Sequence, residues 1–288
     1  MSAVPAFFAE YQSMVAAELR RLVPDDSDAA VERSMAYTAL APSKQVRAVL
    51  VLLCTELCRG RATRAVPAAA AIELVHAASL ILDDLPSMDD APLRRGRRAN
   101  HLEFGEAVAI LAAFGLLNLA YATYARSYEP ALAARLAAST ADAVGPAGLI
   151  GGQALDLLAT DRDITFETLE RIHRGKTGAL FVAAAACGAA VAGGPPESIS
   201  ALTAYAKNLG LAFQIIDDLL DVEGTSEETG KAVREDARKT TFVNFSGVDG
   251  ARQLARELCD TADRALAPFG AKANRLRELS AFVVARRL

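Results

Sequence analysis

The sequence predicts an all-α fold, and three observations carry that expectation. Alanine, leucine, arginine and glutamate are abundant, while β-branched residues rarely alternate with polar ones. Proline and glycine fall in gaps that leave helix-length segments between them. Residues 107–125 and 179–194 carry no charge and are apolar on every face, as helices enclosed by other helices are.

Taken in order, the first helix covers roughly 5–22 and stops before Pro24, and the second covers 28–38 and stops before Pro42. A third spans roughly 44–59, with Cys54 and Cys58 one turn apart as small apolar groups. A fourth, roughly 65–84, is ended by Pro86. Helices over roughly 104–127, 130–142 and 148–158 are separated by Pro130 and by Gly145-Pro146. Thr165 is the expected N-cap of a long helix over roughly 166–191, closed by Gly193-Gly194-Pro195-Pro196. The remaining helices are expected over roughly 197–221, 249–266 and 270–286, with a polar loop from 223 to 239 between them. No stretch reads as a linker, so residues 1–288 are expected to form one domain.

Bulk properties bound the function. An apolar fraction of 52% suits an extensive core, and a net charge of −4 gives no sign of nucleic-acid binding. Cys54, Cys58, Cys187 and Cys259 show no zinc spacing, and the expected compartment is the reduced cytoplasm. The first residues carry Glu10 and Glu18 and do not form a secretory signal. Residues 107–125 approach spanning length but contain Gly115, Asn118, Tyr121, Thr123 and Tyr124, so a buried helix is expected rather than a membrane span.

Two acidic runs carry the chemistry: Asp83-Asp84-Leu85-Pro86-Ser87-Met88-Asp89, and Asp217-Asp218-Leu219-Leu220-Asp221. Like charges this close repel, and hard divalent cations relieve them through oxygen ligands, retained water and substrate phosphate. Asp217 and Asp221, four apart, share a helix face that Gln214 joins, while Asp218 points aside. Taken alone, this run reads equally as a metal site or a solvated helix end. Behind the first run, Arg94-Arg95-Gly96-Arg97-Arg98 supplies guanidinium groups for the far side of a phosphate. Lys44 and Arg47 stand at a helix start, a favourable place for an anion. Lys176-Thr177 lies between Gly175 and Gly178, which allow close backbone approach, and His76 precedes Asp83 by two turns.

The segments HAASLILDDLPSMDDAPLRRG, GGQALDL, GKTGAL and FQIIDDLLD, in that order, resemble the trans-type polyprenyl diphosphate synthases of the farnesyl and geranylgeranyl group. The resemblance covers residues 43–239 and implies an isoprenoid-synthase-type helical bundle around a deep central cavity, usually a homodimer. It implies Mg²⁺-dependent head-to-tail condensation of isopentenyl diphosphate with an allylic diphosphate. By that resemblance Asp83, Asp84, Asp89, Asp217 and Asp221 are metal-site aspartates, with Asp218 completing the second run behind them. About three Mg²⁺ ions would bridge the two runs to the allylic diphosphate. Arg94, Lys176 and Lys231 resemble cations on that diphosphate, and Lys44, Arg47, His76 and Arg95 the isopentenyl diphosphate shell. Thr177 and Gln214 would lie near the carbocation, with Gln153 and Asp156 supporting the site. Lys239 is assigned as a further substrate-binding cation, although the loop from Asp236 is shorter than in the family pattern.

The chain departs from that pattern at Gln45 and Ala48, where Arg and Pro are usual, and at Ala113-Phe114-Gly115-Leu116, which lacks an acid. In the family, residues just before the first run form the cavity floor. Ala78 and Ser79 are small there, which favours a product longer than fifteen carbons, geranylgeranyl diphosphate first. Phe114, were it to project inward, would form a new floor. Farnesyl diphosphate synthase, a terpene cyclase and a non-catalytic partner subunit are the competing readings. The Lys44, Arg47 and His76 shell disfavours the cyclase, and retention of both acidic runs disfavours the silent subunit.

Overall fold

The computed structural model describes residues 5–223 and 240–285. Helices α1 (Ala6–Leu22) and α2 (Ala30–Ala39) lead into α3 (Val46–Leu57) and α4 (Ala62–Asp83). An antiparallel hairpin follows, with β1 (Leu93–Arg94) paired to β2 (Arg97–Arg98). Next come α5 (Asn100–Phe104), α6 (Glu106–Ser127), α7 (Pro130–Val144), α8 (Leu149–Ala159) and α9 (Phe166–His173). A π-turn, Arg174–Gly178, joins α9 to α10 (Ala179–Val191), and α11 (Pro196–Glu223) follows. The last elements are α12 (Phe242–Ala265), a 3₁₀ turn over Ala267–Ala273, and α13 (Asn274–Ala285).

The centre is built from helices buried on all sides. Residues 48–55 of α3 and 68–75 of α4 are buried without interruption, and the alanine run Ala68–Ala71 lets neighbouring helices approach. Helix α4 packs on α3, α6 and α10, while α10 also meets α7 and α11, and α11 lies along α12. Two helices among the described residues are long and apolar enough to cross a membrane, α4 and α6. The most apolar stretch of α4 is 67% buried, which makes it a core helix. Helix α6 buries Ala113 and Leu116 but turns Leu111 and Phe114 outward. Phe114 is 65% exposed, so it is no cavity floor; helical periodicity sets it opposite the buried face.

Several boundaries differ from the sequence pattern for local reasons. Pro67 sits inside α4, where it lacks an N–H and crowds the preceding turn. Tyr128 repairs that break. Its hydroxyl donates to the Arg64 carbonyl (2.8 Å) and accepts from the Ala68 N–H (3.1 Å), a pair that an unbroken helix joins directly. The expected single helix over 166–191 contains the π-turn, and α12 starts earlier than expected because its first turns precede a kink at Gly247 (φ 67°). The hairpin between Leu93 and Arg98 was not anticipated. Its two-residue tip, Arg95 and Gly96, has positive φ at both positions, the geometry that suits a tight hairpin.

Buried polar contacts tie these elements together. The Asn100 amide donates to the Ser34 carbonyl (2.9 Å) and the Thr38 hydroxyl (2.8 Å), and its oxygen accepts from the Ser34 hydroxyl (2.7 Å). Helix α2 is thereby fixed to the exit of the arginine hairpin. Tyr11 of α1 donates to Glu56 of α3 (2.5 Å), and Arg275 of α13 donates to both (2.8 Å each).

Candidate active site

The end of α4 curls the first acidic run back on itself. Pro86 forbids continuation of the helix, and the Asp89 N–H returns to the Asp83 carbonyl (2.9 Å). Asp83 and Asp89, six positions apart in sequence, thus approach a common cation: Lys176 Nζ lies 3.8 Å from a carboxylate oxygen of each. Asp84 does not join them. It is buried and paired with Arg94, whose Nε donates to Asp84 Oδ1 at 2.9 Å with a second bond from Nη2. Arg94 is therefore held by the run it follows.

Glycines in the π-turn position Lys176. A Cβ on Gly152 of α8 would stand 2.1 Å from the Lys176 backbone nitrogen, and one on Gly175 would stand 2.9 Å from the Gly152 Cα. Only bare backbone on both sides permits this approach, which brings Lys176 Nζ to 2.8 Å from Asp156 of α8. Burial alone would depress the Lys176 pKa, but Asp83, Asp156 and Asp89 outweigh it and hold the ammonium above its ordinary range. Gly178 and Gly210 make the matching approach to α11, where a Cβ on Gly210 would stand 3.1 Å from the Gly178 Cα. One turn further along α11, Gln214 Oε1 accepts from the Thr177 hydroxyl (2.7 Å).

Gln214 also reaches the second acidic run. Its Nε2 donates to Asp218 Oδ1 (3.0 Å), and Asp218 Oδ2 accepts from the Phe242 N–H (3.1 Å). This differs from the expected geometry, in which Gln214 shared a face with Asp217 and Asp218 stood aside. Asp217 and Asp221 are half-buried, whereas Asp218 is 3% exposed.

A second basic region surrounds His76. The chain enters α3 through Gln45 in the left-handed region (φ 48°), and Gln12 of α1 steadies this entry by donating to the Ser43 and Lys44 carbonyls (3.3 and 3.0 Å). Lys44 therefore precedes the helix and is exposed, while Arg47 lies in its first turn over the rings of Phe181 (4.7 Å) and Phe213 (5.7 Å). Glu73, absent from the sequence assignments, accepts from the Ala48 N–H (3.2 Å). Burial raises the Glu73 pKa, against the pull of Arg47, Arg95 and the Ala48 N–H. Burial also drives the His76 pKa well below its ordinary value, and Arg47, Arg95 and Arg94 push it in the same direction. Burial depresses Arg95 as well, opposed by Glu73. A neutral imidazole and a carboxylate thus sit among three guanidinium groups, a setting that favours an incoming polyanion. A glutamate inside the apolar run 68–75 was the available signal for Glu73, since unpaired charge is rarely buried.

Gln153 is buried beside Met88 of the acidic loop, its amide 3.9 Å from the thioether, and its oxygen has no hydrogen-bond partner. Such an acceptor suits a water held by a cation. Among the described residues no three His, Cys, Asp or Glu side chains converge into a ready-made metal site. Mg²⁺ commonly takes one or two carboxylates, retained waters and phosphate oxygens rather than an all-protein cage. Lys231 and Lys239 lie outside the described residues, as does most of the expected loop from 223 to 239. A surface cavity of ≈ 330 Å³ between Arg64, Arg135 and Gly193 lies apart from this constellation.

A helical shell with half-buried carboxylates on one side and guanidinium groups on the other defines a class, the all-α transferases that handle diphosphates. The polyprenyl synthetase family model matches residues 28–262. A geranylgeranyl diphosphate synthase of Cyanophora paradoxa is 38% identical, over 96% of this chain and 94% of its own. A dimethylallyltranstransferase of Fischerella ambigua is 38% identical, over 98% and 84%. Among solved structures, a geranylgeranyl pyrophosphate synthetase from Pyrococcus horikoshii superposes with a TM-score of 0.87 at 30% identity, covering 98% of each chain. An apo FPP/GFPP synthase from Zymomonas mobilis gives 0.86 at 32% identity, covering 97% and 98%. The chain belongs to the polyprenyl synthetase family and is a trans-prenyl diphosphate synthase.

Proposed function

We propose that the enzyme condenses isopentenyl diphosphate head-to-tail with allylic diphosphates and releases geranylgeranyl diphosphate. The carrying observation is the π-turn, which brings Lys176 to Asp83 and Asp89 while Thr177 touches Gln214 beside the second acidic run. An allylic diphosphate would lie between these walls, with Arg94 and Lys176 on its phosphates. Asp83, Asp89, Asp217 and Asp221 would hold about three Mg²⁺ ions, which neutralise the leaving diphosphate. Lys44, Arg47, His76 and Arg95 would hold isopentenyl diphosphate. Cleavage of the allylic C–O bond leaves a cation that the Thr177 and Gln214 oxygens favour. The isopentenyl double bond attacks that cation, and a proton passes to the departing diphosphate. Surrounding apolar helices keep out water that would quench the cation.

The product assignment is supported by the small residues Ala78 and Ser79 before the first run, by the outward turn of Phe114, and by the relatives named as geranylgeranyl diphosphate synthases. A homodimer is part of this reading, supported by the exposed apolar residues Leu111 and Phe114 on α6. A cytoplasmic location is also proposed, on the four free thiols. Incubation with labelled isopentenyl diphosphate, Mg²⁺ and each allylic diphosphate in turn tests the reading through product length. Twenty carbons supports it, fifteen overturns the floor assignment, and no product with any starter overturns the condensation itself.

A further inference from the structure

We propose that Asp218 is a positioning residue that fixes which face of Thr177 the substrate meets, rather than a ligand of the metal ions. One chain of contacts fixes the donors and acceptors around Asp218. It starts at Phe242, whose N–H is held rigidly. The Thr241–Asn244 capping box sets the first turn of α12, and the Phe242 ring is fully buried against Phe166 (5.6 Å) and His173 (5.3 Å). That N–H donates to Asp218 Oδ2 (3.1 Å). A carboxylate accepts only, so its other oxygen must also receive a donor, and it receives Gln214 Nε2 (3.0 Å). The amide is then fixed in one orientation, because the reverse would set two acceptor oxygens against each other. Gln214 Oε1 consequently points to Thr177, and the Thr177 hydroxyl must donate to it (2.7 Å). The proton of Thr177 is thereby turned away from the cavity, and its lone pairs are left for positive charge.

This inference rests on the proposed reading, in which Thr177 lies beside the allylic cation. It gives the second aspartate of the run a task distinct from that of Asp217 and Asp221, which are half-buried where Asp218 is 3% exposed. It also makes the start of α12 part of the catalytic arrangement, since the chain of contacts begins at a backbone N–H there.

Asp218→Asn tests the idea with almost no change in shape. The Phe242 N–H still requires an acceptor, so the new amide oxygen must face it and the new NH₂ must face Gln214. Gln214 then reverses, its NH₂ meets Thr177, and the Thr177 proton is turned toward the substrate. The expected result is a kcat lower by about 100-fold, on the scale of removing one preorganised polar group from a transition state. The KM values for both diphosphates, the half-saturating Mg²⁺ concentration, and calorimetric binding of inorganic diphosphate with Mg²⁺ are expected to stay within about twofold of wild type. Thr177→Val is expected to lose a similar factor, Thr177→Ser to be faster than Thr177→Val, and Thr177→Val combined with Asp218→Asn to be no slower than Thr177→Val alone.

A half-saturating Mg²⁺ concentration raised about tenfold in Asp218→Asn, multiplicative losses in the double variant, or full activity of Asp218→Asn would each overturn the proposal. Should Asp218→Asn fold poorly, Gln214→Met breaks the same chain at its middle. It must then show the kcat loss with an unchanged Mg²⁺ requirement, or the proposal fails. A wild-type enzyme that forms no prenyl diphosphate would remove the underlying reading, whereas an active wild type with a Mg²⁺-hungry Asp218→Asn removes only the role assigned to Asp218.

Discussion

Replacing Gly152 with alanine places a Cβ 2.1 Å from the Lys176 backbone nitrogen and 2.7 Å from the Gly175 carbonyl carbon. Both are main-chain atoms, so no side chain can swing aside. Restoring ordinary contact requires α8 and the π-turn to separate by about 1.3 Å. Overpacking of this kind costs about 1–3 kcal/mol. For a chain of this size, about 2 kcal/mol corresponds to a fall in Tm of about 5 °C. The larger effect falls on the chemistry. The same displacement would open the 2.8 Å bond between Lys176 and Asp156 and move Lys176 relative to Asp83 and Asp89. A misplacement of about 1 Å in a catalytic group costs about 100-fold in rate, or about 2.7 kcal/mol. Thermal unfolding and initial-rate measurement on Gly152→Ala read the two effects separately. A variant with the wild-type rate would refute the claim that this glycine contact positions Lys176, whatever its Tm.

Other expected outcomes follow from the same geometry. Ala78→Tyr should shorten the product by about one isoprene unit, read by chain-length analysis, and an unchanged distribution would place the floor elsewhere. The folded-state pKa of His76 lies below its ordinary 6.5, so the unfolded chain takes up the proton first as the pH falls. The stability contributed by neutral His76 is present above pH 6.5 and is lost below it. His76→Gln should therefore flatten the decline in Tm between about pH 7.5 and 5.5, and an unaltered slope would contradict the assignment. Arg94→Lys keeps the charge but loses the fork that grips Asp84, so the KM for the allylic diphosphate should rise about tenfold; an equal rise for isopentenyl diphosphate would count against a dedicated role. Tyr11→Phe removes a hydroxyl shared by Glu56 and Arg275 and should cost about 1 kcal/mol by denaturant unfolding, with a null effect showing that the ion pair alone suffices.

Much of the scaffold was legible because punctuation and composition agreed: Pro24, Pro42 and Pro86 lie between helices, and Pro130 opens α7. The failures occurred where a distant group changed the local rule. Pro67 lies inside α4 where Tyr128, sixty-one positions later, bridges the opened turn. The 166–191 pattern is helical throughout, and nothing in its periodicity marks a π-turn; the need shows only once Gly152 and Gly210 press on it from two sides. The acidic runs and their flanking cations were legible as residue types. Their partners were not. The resemblance set Asp84 with Asp83 and Asp89, whereas the curl after Pro86 brings Asp83 and Asp89 together and leaves Asp84 to Arg94. Spacing likewise set Gln214 with Asp217, although the i,i+4 step carries its amide to Asp218. Glu73 and Gln12 act through backbone groups of the α3 entrance, contacts that no side-chain motif records.

The π-turn also bears on how this enzyme could be silenced without being damaged. Such a turn is an α-helix carrying one residue too many, and each residue advances an α-helix by about 100°. Deleting Arg174 would remove that extra residue from the junction of α9 and α10. The same deletion would swing either Lys176 away from Asp83 and Asp89 or Thr177 away from Gln214, since the extra residue is what lets neighbouring positions serve both walls. Regular helical register and catalytic register are therefore opposed in this stretch, and a loss of one residue is a short path from a working synthase to an inactive relative.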